Sequence, residues 1–95
     1  EERPVERLKD GSLAIDASLS VRDLREDYGL AIPESSEYET LAGFVMAQLQ
    51  DMPRVGEIIQ NGEHKFTIVD MEGRRIVKIK VEKISHLISK TPAKT

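Results

Sequence analysis

Residues 56–84 read GEIIQNGEHKFTIVDMEGRRIVKIKVEKI, and this stretch decides the fold. Two turn signals, Asn61-Gly62 and Glu72-Gly73, divide it into three segments of strand length. The last segment alternates, so that apolar side chains share one face and charged side chains share the other: Val77, Ile79 and Val81 against Lys78, Lys80 and Glu82. Three strands joined by short turns predict an antiparallel meander with one apolar face.

The middle segment, from about His64 to Met71, interrupts this regular pattern. Phe66 and Ile68 share a face, but Val69 follows Ile68 directly. An extra apolar residue at this place indicates a bulge or burial on both sides of the strand.

The segment before the meander predicts the main helix. Ser36 and Glu39 form a capping-box pattern, so this helix should begin near Glu37, and Pro53 prevents it from continuing beyond about Asp51. Its apolar stripe predicts the packing face and consists of Leu41, Val45 and Leu49, widened by Phe44 and Met46. Gly43 and Ala47 lie one turn apart and indicate close approach to the sheet or to another helix.

A shorter helix and a strand precede the main helix. Ser20 is suited to cap the helix, and Gly29 is suited to end it in a left-handed conformation. The stripe of this helix consists of Val21, Leu24 and Tyr28. Upstream, residues 12–16 (SLAID) alternate as a half-buried strand does.

These elements predict an α+β fold, in which an antiparallel sheet of the three-stranded meander plus one N-terminal strand is packed by two helices. Residues 9–84 should form the domain. Residues 1–8 are charged and contain Pro4, so they are interpreted as a linker, and residues 85–95 are interpreted as a polar, flexible tail.

Composition excludes several classes of function. The formal net charge of −3 repels the phosphate backbone, so no nucleic-acid partner is expected. The chain contains no cysteine, which removes disulfides and thiolate chemistry. Its apolar runs are far shorter than the roughly 20 residues that span a bilayer, so this stretch should contain no membrane span.

Catalytic patterns are also missing from the sequence. His64 and His86 have no recognisable metal-ligand spacing and are expected to be exposed to solvent. Neither a nucleophile elbow nor a glycine-rich phosphate loop occurs, and Gly56, Gly62 and Gly73 each fall at a strand start or turn. We therefore expect a domain without catalytic residues, not an enzyme.

Two charged features remain as weak candidates for binding. Glu34, Glu37 and Glu39 offer carboxylates that suit a hard divalent cation, although a solvated helix N-terminus is the favoured explanation for them. The basic side chains of the last strand can meet an acidic partner or lipid headgroups, or can protect an exposed sheet edge, and they are Arg74, Arg75, Lys78, Lys80 and Lys83.

Taken in order, a set of short motifs resembles the CorC/HlyC transporter-associated domain. The resemblance spans about Lys9 to Ile84, and its most specific part is Tyr-Glu-Thr-Leu-Ala-Gly at 38–43 with the Pro-x-x-Gly-Glu pattern at 53–57. The supporting motifs are Asp10-Gly11-Ser12, Asp23-Leu24, Phe66-x-Ile68-Val69 and Arg74-Arg75-Ile76.

The resemblance implies a fold grouped with FAD-binding, transporter-associated-like domains. It implies a position at the C-terminus of bacterial hemolysin-like proteins, after a pair of CBS modules and a transmembrane region, on the cytoplasmic side of the inner membrane. Such proteins are associated with magnesium and cobalt efflux. The expected role is regulation of that ion transport, through docking on CBS modules or on a second copy in a homodimer.

The same resemblance carries over no site residue and no cofactor. Flavin is not expected, because the chain has no phosphate-cradling loop and its few aromatics are needed for the core: Tyr28, Tyr38, Phe44 and Phe66. The alternative function is a sensor domain for a small ligand or a divalent cation, bound weakly through Glu34, Glu37 and Glu39.

Overall fold

The computed structural model describes residues 4–84, and the predicted tail at 85–95 lies outside the described residues. Within the described residues, five strands form one antiparallel sheet with the spatial order β1-β2-β5-β4-β3. Two helices cover one of its faces. In chain order the elements are β1 (Val5–Arg7), β2 (Leu13–Asp16), α1 (Val21–Tyr28), α2 (Leu41–Leu49), β3 (Ile58–Asn61), β4 (His64–Glu72) and β5 (Arg75–Lys83).

The predicted α+β class is confirmed, but the sheet has one strand more than the four predicted. The additional strand, β1, lies inside the segment 1–8 that we had interpreted as a linker. Its Val5 pairs with Ile15 of β2, and the amide of Asp16 donates to the carbonyl of Pro4 over 2.7 Å. Three residues are too few to produce a visible alternation, which explains why the pattern missed this strand.

The C-terminal meander is confirmed. The two hairpins each have a two-residue loop, Gly62-Glu63 after Asn61 and Gly73-Arg74 after Glu72. The φ angles of Gly62 and Gly73 are 60° and 63°, a conformation that costs glycine little because it has no Cβ.

The ladder between β4 and β5 is irregular at Val69 and Val77. It pairs Ile68 with Ile79, and Asp70, the residue after Val69, with Lys78. It then passes over Val77 and pairs Met71 with Ile76. The bulge at Val69 is thereby confirmed, and this residue is exposed rather than buried. The predicted stripe of β5 was wrong at its start, because the skip places Ile76 in the core and leaves Val77 half-buried.

Helix α1 begins and ends where the sequence predicts. The hydroxyl of Ser20 accepts the amide of Asp23 over 3.0 Å, and Gly29 has a left-handed φ of 68° at the C-terminus. Val21 and Leu24 are buried, whereas Tyr28 is 46% exposed. The predicted apolar stripe of α1 is therefore confirmed at Val21 and Leu24 and was wrong at Tyr28.

Helix α2 begins at Leu41, four residues later than the predicted start near Glu37. Thr40 caps it, because its hydroxyl accepts the amide of Gly43 over 3.1 Å. The predicted capping box of Ser36 and Glu39 was therefore wrong. Local hydrogen bonds of the preceding loop compete with helix formation there, and the carbonyl of Glu39 instead accepts the amide of Val21 over 2.8 Å.

The core lies between the two helices and the covered face of the sheet. Phe44 of α2 contacts Phe66 of β4 and Tyr38 of the preceding loop in edge-to-face geometry, with ring centroids 5.4 Å apart in both pairs. Met46, which we expected on the packing face, is 44% exposed. The close approach at Gly43 is to Tyr38, not to the sheet or to α1.

Candidate functional site

The three candidate glutamates lie in the loop between α1 and α2, and all three side chains are exposed. The loop is held by its own contacts. The hydroxyl of Tyr38 donates to the carbonyl of Pro33, and the hydroxyl of Ser35 accepts the amide of Glu37 over 3.0 Å. These bonds give the loop a defined path across the start of α1.

An open groove of about 630 Å³ separates this loop from the first turn of α1. Glu34 and Glu39 line it from the loop and Asp23 lines it from the helix, whereas Glu37 is not among its lining residues. The other lining residues are Ser20, Val21, Arg22, Ser35, Ser36 and Tyr38.

The groove lacks the geometry of a strong metal centre. Among residues 4–84, no three or more histidine, aspartate or glutamate side chains converge to hold a metal ion. Glu34 is bound to Arg25, with 2.9 Å between the guanidinium nitrogen and the carboxylate oxygen. The positive end of α1 also faces the groove and disfavours a cation. Only weak, largely solvated cation binding is chemically consistent with this arrangement.

A chain of charges runs across the uncovered face of the sheet, which we call the open face. The ammonium group of Lys80 lies 3.4 Å from Asp10 and 3.6 Å from Glu82, and Lys65 lies 3.3 Å from Glu82. Ser12 donates both its hydroxyl and its amide to Asp10. The turn before β2 is thereby tied to the central strand.

This chain perturbs two ionisable groups. The pKa of Asp10 is lowered to about 2, mainly because Ser12 donates two hydrogen bonds to its carboxylate and additionally because Lys80 lies nearby. The pKa of Lys80 is raised, chiefly by its hydrogen bond to Asp10. Both groups are solvent-accessible, so the arrangement describes a structural ion pair and not an acid–base pair prepared for catalysis.

The predicted basic face of the last strand has a different setting from the one expected. β5 is the central strand, so protection of a sheet edge was the wrong explanation for its basic residues. Within residues 4–84, three of these residues have a carboxylate within 4 Å: Arg75 has Glu72, Lys80 has Asp10 and Glu82, and Lys83 has Glu63. Pairing weakens the positive field that a lipid surface or an acidic partner would require.

A second groove, of about 710 Å³, was not predicted from the sequence. It lies between the C-terminal end of α1 at Tyr28 and the start of β4 at His64. The pKa of His64 is lowered, first by burial and then by the nearby Lys83. Four separate segments form this groove, which explains why no local motif indicated it: residues 7–13, 27–31, 62–64 and 81–83.

The hydroxyl groups with described partners serve local structure. Those of Ser12 and Ser18 bind the preceding aspartates in turns, and that of Ser20 caps α1. The imidazole of His64 lies beside the ring of Phe66, with centroids 6.4 Å apart. These contacts stabilise the fold, and the two grooves and the open face are the surfaces at which the domain can bind a partner.

No helix within residues 4–84 has both the length and the apolar content needed to cross a membrane.

Curated relatives resemble this chain over most of its length. UPF0053 protein YegH from Escherichia coli K12 is 30% identical over 77 residues, and the polyamine export protein from the same organism is 34% identical over 77 residues. Each alignment covers 81% of this chain, but only 15% and 16% of the respective relative. The chain therefore spans less than a fifth of the length of these proteins.

Solved structures share the fold. The transporter-associated domain of a Xylella fastidiosa hemolysin has a TM-score of 0.77 at 32% identity, over 90% of this chain and all of that one. The same domain was solved in complex with Mg²⁺ and Mn²⁺, with a TM-score of 0.74 over 85% of this chain and 98% of that one. A transporter-associated domain from a CBS domain protein of Porphyromonas gingivalis is 29% identical, with a TM-score of 0.74 and coverages of 85% and 98%.

The family model for the transporter-associated domain, CorC/HlyC, matches residues 6–85. This match contains all five strands except the first residue of β1, as well as both helices. The family is a transporter-associated regulatory domain and not a catalytic family. This chain belongs to the CorC/HlyC transporter-associated domain family.

Proposed function

We propose that this chain is the regulatory domain of a membrane-associated protein that exports small cations, and that it acts by docking on other domains of that protein. The observation that carries the proposal is the family match over residues 6–85. The small share of the relatives' length supports it, because most of such a protein lies outside this domain. The parent's CBS modules are the proposed docking partner, and a CBS domain protein among the structural neighbours supports this choice.

The transported ion is part of the same proposal. Magnesium and cobalt follow from the family resemblance, whereas one relative carries the name polyamine export protein. All three candidates are small cations, so we propose cation export as the shared function. The domain itself would lie on the cytoplasmic side of the inner membrane, next to the transmembrane region of its parent.

A deletion tests this function in the full-length protein that carries the chain. The variant lacking residues 6–85 and the intact protein are expressed in cells without other exporters of this family. Efflux of Mg²⁺, Co²⁺ and putrescine is then measured per amount of protein in the membrane. We expect efflux of one cation to change about fivefold or more, since coupling between sites amounts to roughly 1–3 kcal/mol. Unchanged efflux of all three cations contradicts the proposal.

A divalent-cation sensor is the second candidate. It is favoured by the related Xylella fastidiosa domain that was solved with Mg²⁺ and Mn²⁺. In this chain, Glu34 and Glu39 line the groove at α1, with Asp23 opposite and Glu37 on the same loop. These carboxylates would bind the ion weakly and in its hydrated form, because they are exposed and do not converge.

Calorimetric unfolding with 5 mM Mg²⁺, Mn²⁺ or Ca²⁺ at constant ionic strength tests the sensor. A dissociation constant near 1 mM would raise the free energy of unfolding by about 1 kcal/mol, and thus the melting temperature by roughly 4–8 °C. Replacing Glu34, Glu37 and Glu39 by glutamine should abolish this rise. A control with glutamine at Glu6, Glu26 and Glu57, which lie outside the groove, should retain it. Equal melting temperatures with and without each ion exclude the sensor and leave the docking domain.

A further inference from the structure

The two edge strands of the sheet differ in how they are protected. β1 has three residues, two of them charged, and Pro4 precedes it. β3 reads Ile-Ile-Gln-Asn at 58–61 and carries no charge and no proline. Charges, proline and shortness are the features that prevent an edge strand from pairing with another chain. β1 has all three features. β3 is short, but it has neither the charges nor the proline.

Within residues 4–84, the backbone N–H and C=O groups of two β3 residues have no partner strand. In an antiparallel pair, residues alternate between those bonded to the partner strand and those whose backbone groups point away from it. The amide of Ile68 donates to the carbonyl of Glu57 over 3.0 Å, which sets the phase of this alternation. The opposed pairs that follow are Ile58 with Thr67, Ile59 with Phe66 and Gln60 with Lys65. The N–H and C=O groups of Ile58 and Gln60 therefore point outward.

We propose that β3 is a self-association surface, on which the β3 strand of a second copy pairs antiparallel across a twofold axis. In one register, the backbone N–H and C=O groups of both outward-facing residues, Ile58 and Gln60, all form hydrogen bonds. Ile58 of each copy bonds to Gln60 of the other, which gives four backbone hydrogen bonds, and the axis passes between the two Ile59 residues. Shifting the register by two residues leaves one of these bonded pairs without its partner.

The side chains are compatible with this register. Ile59 lies on the covered face and packs against the core, so the two Ile59 side chains would extend the apolar layer from one copy into the next. Ile58 lies on the open face and is 53% exposed, and it would pack against Gln60 of the other copy. Glu57 would lie opposite the amide of Asn61. No like charges are directly opposed.

The contact is small, so association should be weak. Four hydrogen bonds and a few side chains belong to the class of interfaces below about 1,200 Å², which are transient. We expect a dissociation constant of the dimer of roughly 10–1000 µM, because the interface is small. Within the proposed function, the membrane would hold two parent proteins close together and raise their effective concentration. The self-association itself does not depend on that function.

Sedimentation equilibrium of this 95-residue chain from 10 to 500 µM tests the proposal. The wild-type chain should shift from monomer toward dimer as its concentration rises. Gln60→Pro should remain monomeric, because proline removes an outward N–H without breaking the ladder to β4. The matched control Gln60→Ala retains the N–H and should associate as the wild type does. A wild type that is monomeric throughout, or a Gln60→Pro variant that dimerises equally, overturns the proposal.

A second variant and a residue-level measurement cover the case in which Gln60→Pro does not fold. Ile58→Lys changes an exposed side chain and would place two like-charged lysines at diagonal positions across the axis, with the residues about 7–8 Å apart, so its dimer should weaken. In wild-type protein, hydrogen exchange at the amides of Ile58 and Gln60 should slow with rising concentration. Exchange at Arg7 of the opposite edge, whose amide also points away from its partner strand, should not change. Equal exchange rates at all concentrations overturn the proposal, whatever the export experiment shows.

Discussion

The two faces of the sheet are built on the same five strands but are stabilised by different interactions. The covered face contributes fully buried apolar side chains, among them Ile15, Ile68 and Ile79. The open face carries charged side chains such as Lys65, Lys80 and Glu82, which pair with one another in water. Burying one large apolar side chain is worth about 1.5–3 kcal/mol, whereas an exposed ion pair is worth about 0–1 kcal/mol. The covered face should therefore determine stability, and the open face should tolerate change.

The largest effect on stability is expected when a buried apolar residue on the covered face of β5 is replaced by a charged one. Ile79→Lys buries an unpaired ammonium group and removes apolar contacts, so it should cost on the order of 4 kcal/mol or more and leave the chain largely unfolded. The matched variant Lys78→Ile, on the open face of the same strand, should change the free energy of unfolding by only about 0.5 kcal/mol. Urea unfolding followed by circular dichroism measures both variants. Similar losses in the two would contradict the contrast between the faces.

An intermediate effect is expected in the helix layer that covers the sheet. A Cβ atom at Gly43 would lie 3.0 Å from the Cβ of Tyr38, which is tighter than nine in ten real Cβ contacts, so Tyr38 would have to move by a few tenths of an ångström. Alanine gains about 1 kcal/mol of helix propensity, and overpacking costs about 1–3 kcal/mol. We expect Gly43→Ala to lower stability by roughly 1 kcal/mol in thermal unfolding.

A double variant identifies the cause of that loss. Combining Gly43→Ala with Tyr38→Gly removes the atom that causes the clash, so the two effects should not add. Strict additivity would mean that the contact with Tyr38 is not the reason for the glycine.

The smallest effect is expected on the open face, at Asp10. Because the folded-state pKa is about 2 and the ordinary value is 3.8, the carboxylate stabilises the fold above pH 3.8. This contribution should be lost as the pH falls from 3.8 to 2. Asp10→Asn should therefore have a flatter stability profile in that interval, measured as urea midpoints between pH 2 and 5. Asp27→Asn, which removes an exposed carboxylate of α1, is the matched control, and an identical flattening there would assign the effect to general acid unfolding.

Sequence patterns predicted the parts of the fold that local interactions determine. The hairpin turns at Gly62 and Gly73 and the cap at Ser20 depend on neighbouring residues alone, and all three are where the pattern places them. The start of α2 was missed because Thr40 competes as a cap with Ser36, and their relative strength depends on Tyr38 and the core. The phase change between Ile76 and Val77 depends on pairing with β4, which a single strand does not reveal.

The candidate site was predictable only as a set of residues, not as an arrangement. Acidic residues at 34, 37 and 39 are visible in the sequence, but their separation in space is not. The ion pair between Glu34 and Arg25 bridges two elements, and Glu37 lies outside the groove that Glu34 and Glu39 share. The tertiary path of the loop therefore decides which carboxylates meet.

The position of β5 has a consequence for how the chain acquires its structure. β5 is the last of the described strands in the sequence but lies between β2 and β4 in the sheet. Ile15 can therefore pair with Ile79 only after β5 has been synthesised, and only then can the two halves of the sheet join. When the ribosome has released this domain only as far as residue 70, β1 and β2 can pair with each other, but β2 has no second partner strand. Contacts between such distant residues slow folding, because the intervening chain must be ordered first. Closure of the sheet should therefore occur only after β5 has been released from the ribosome, and in a single step.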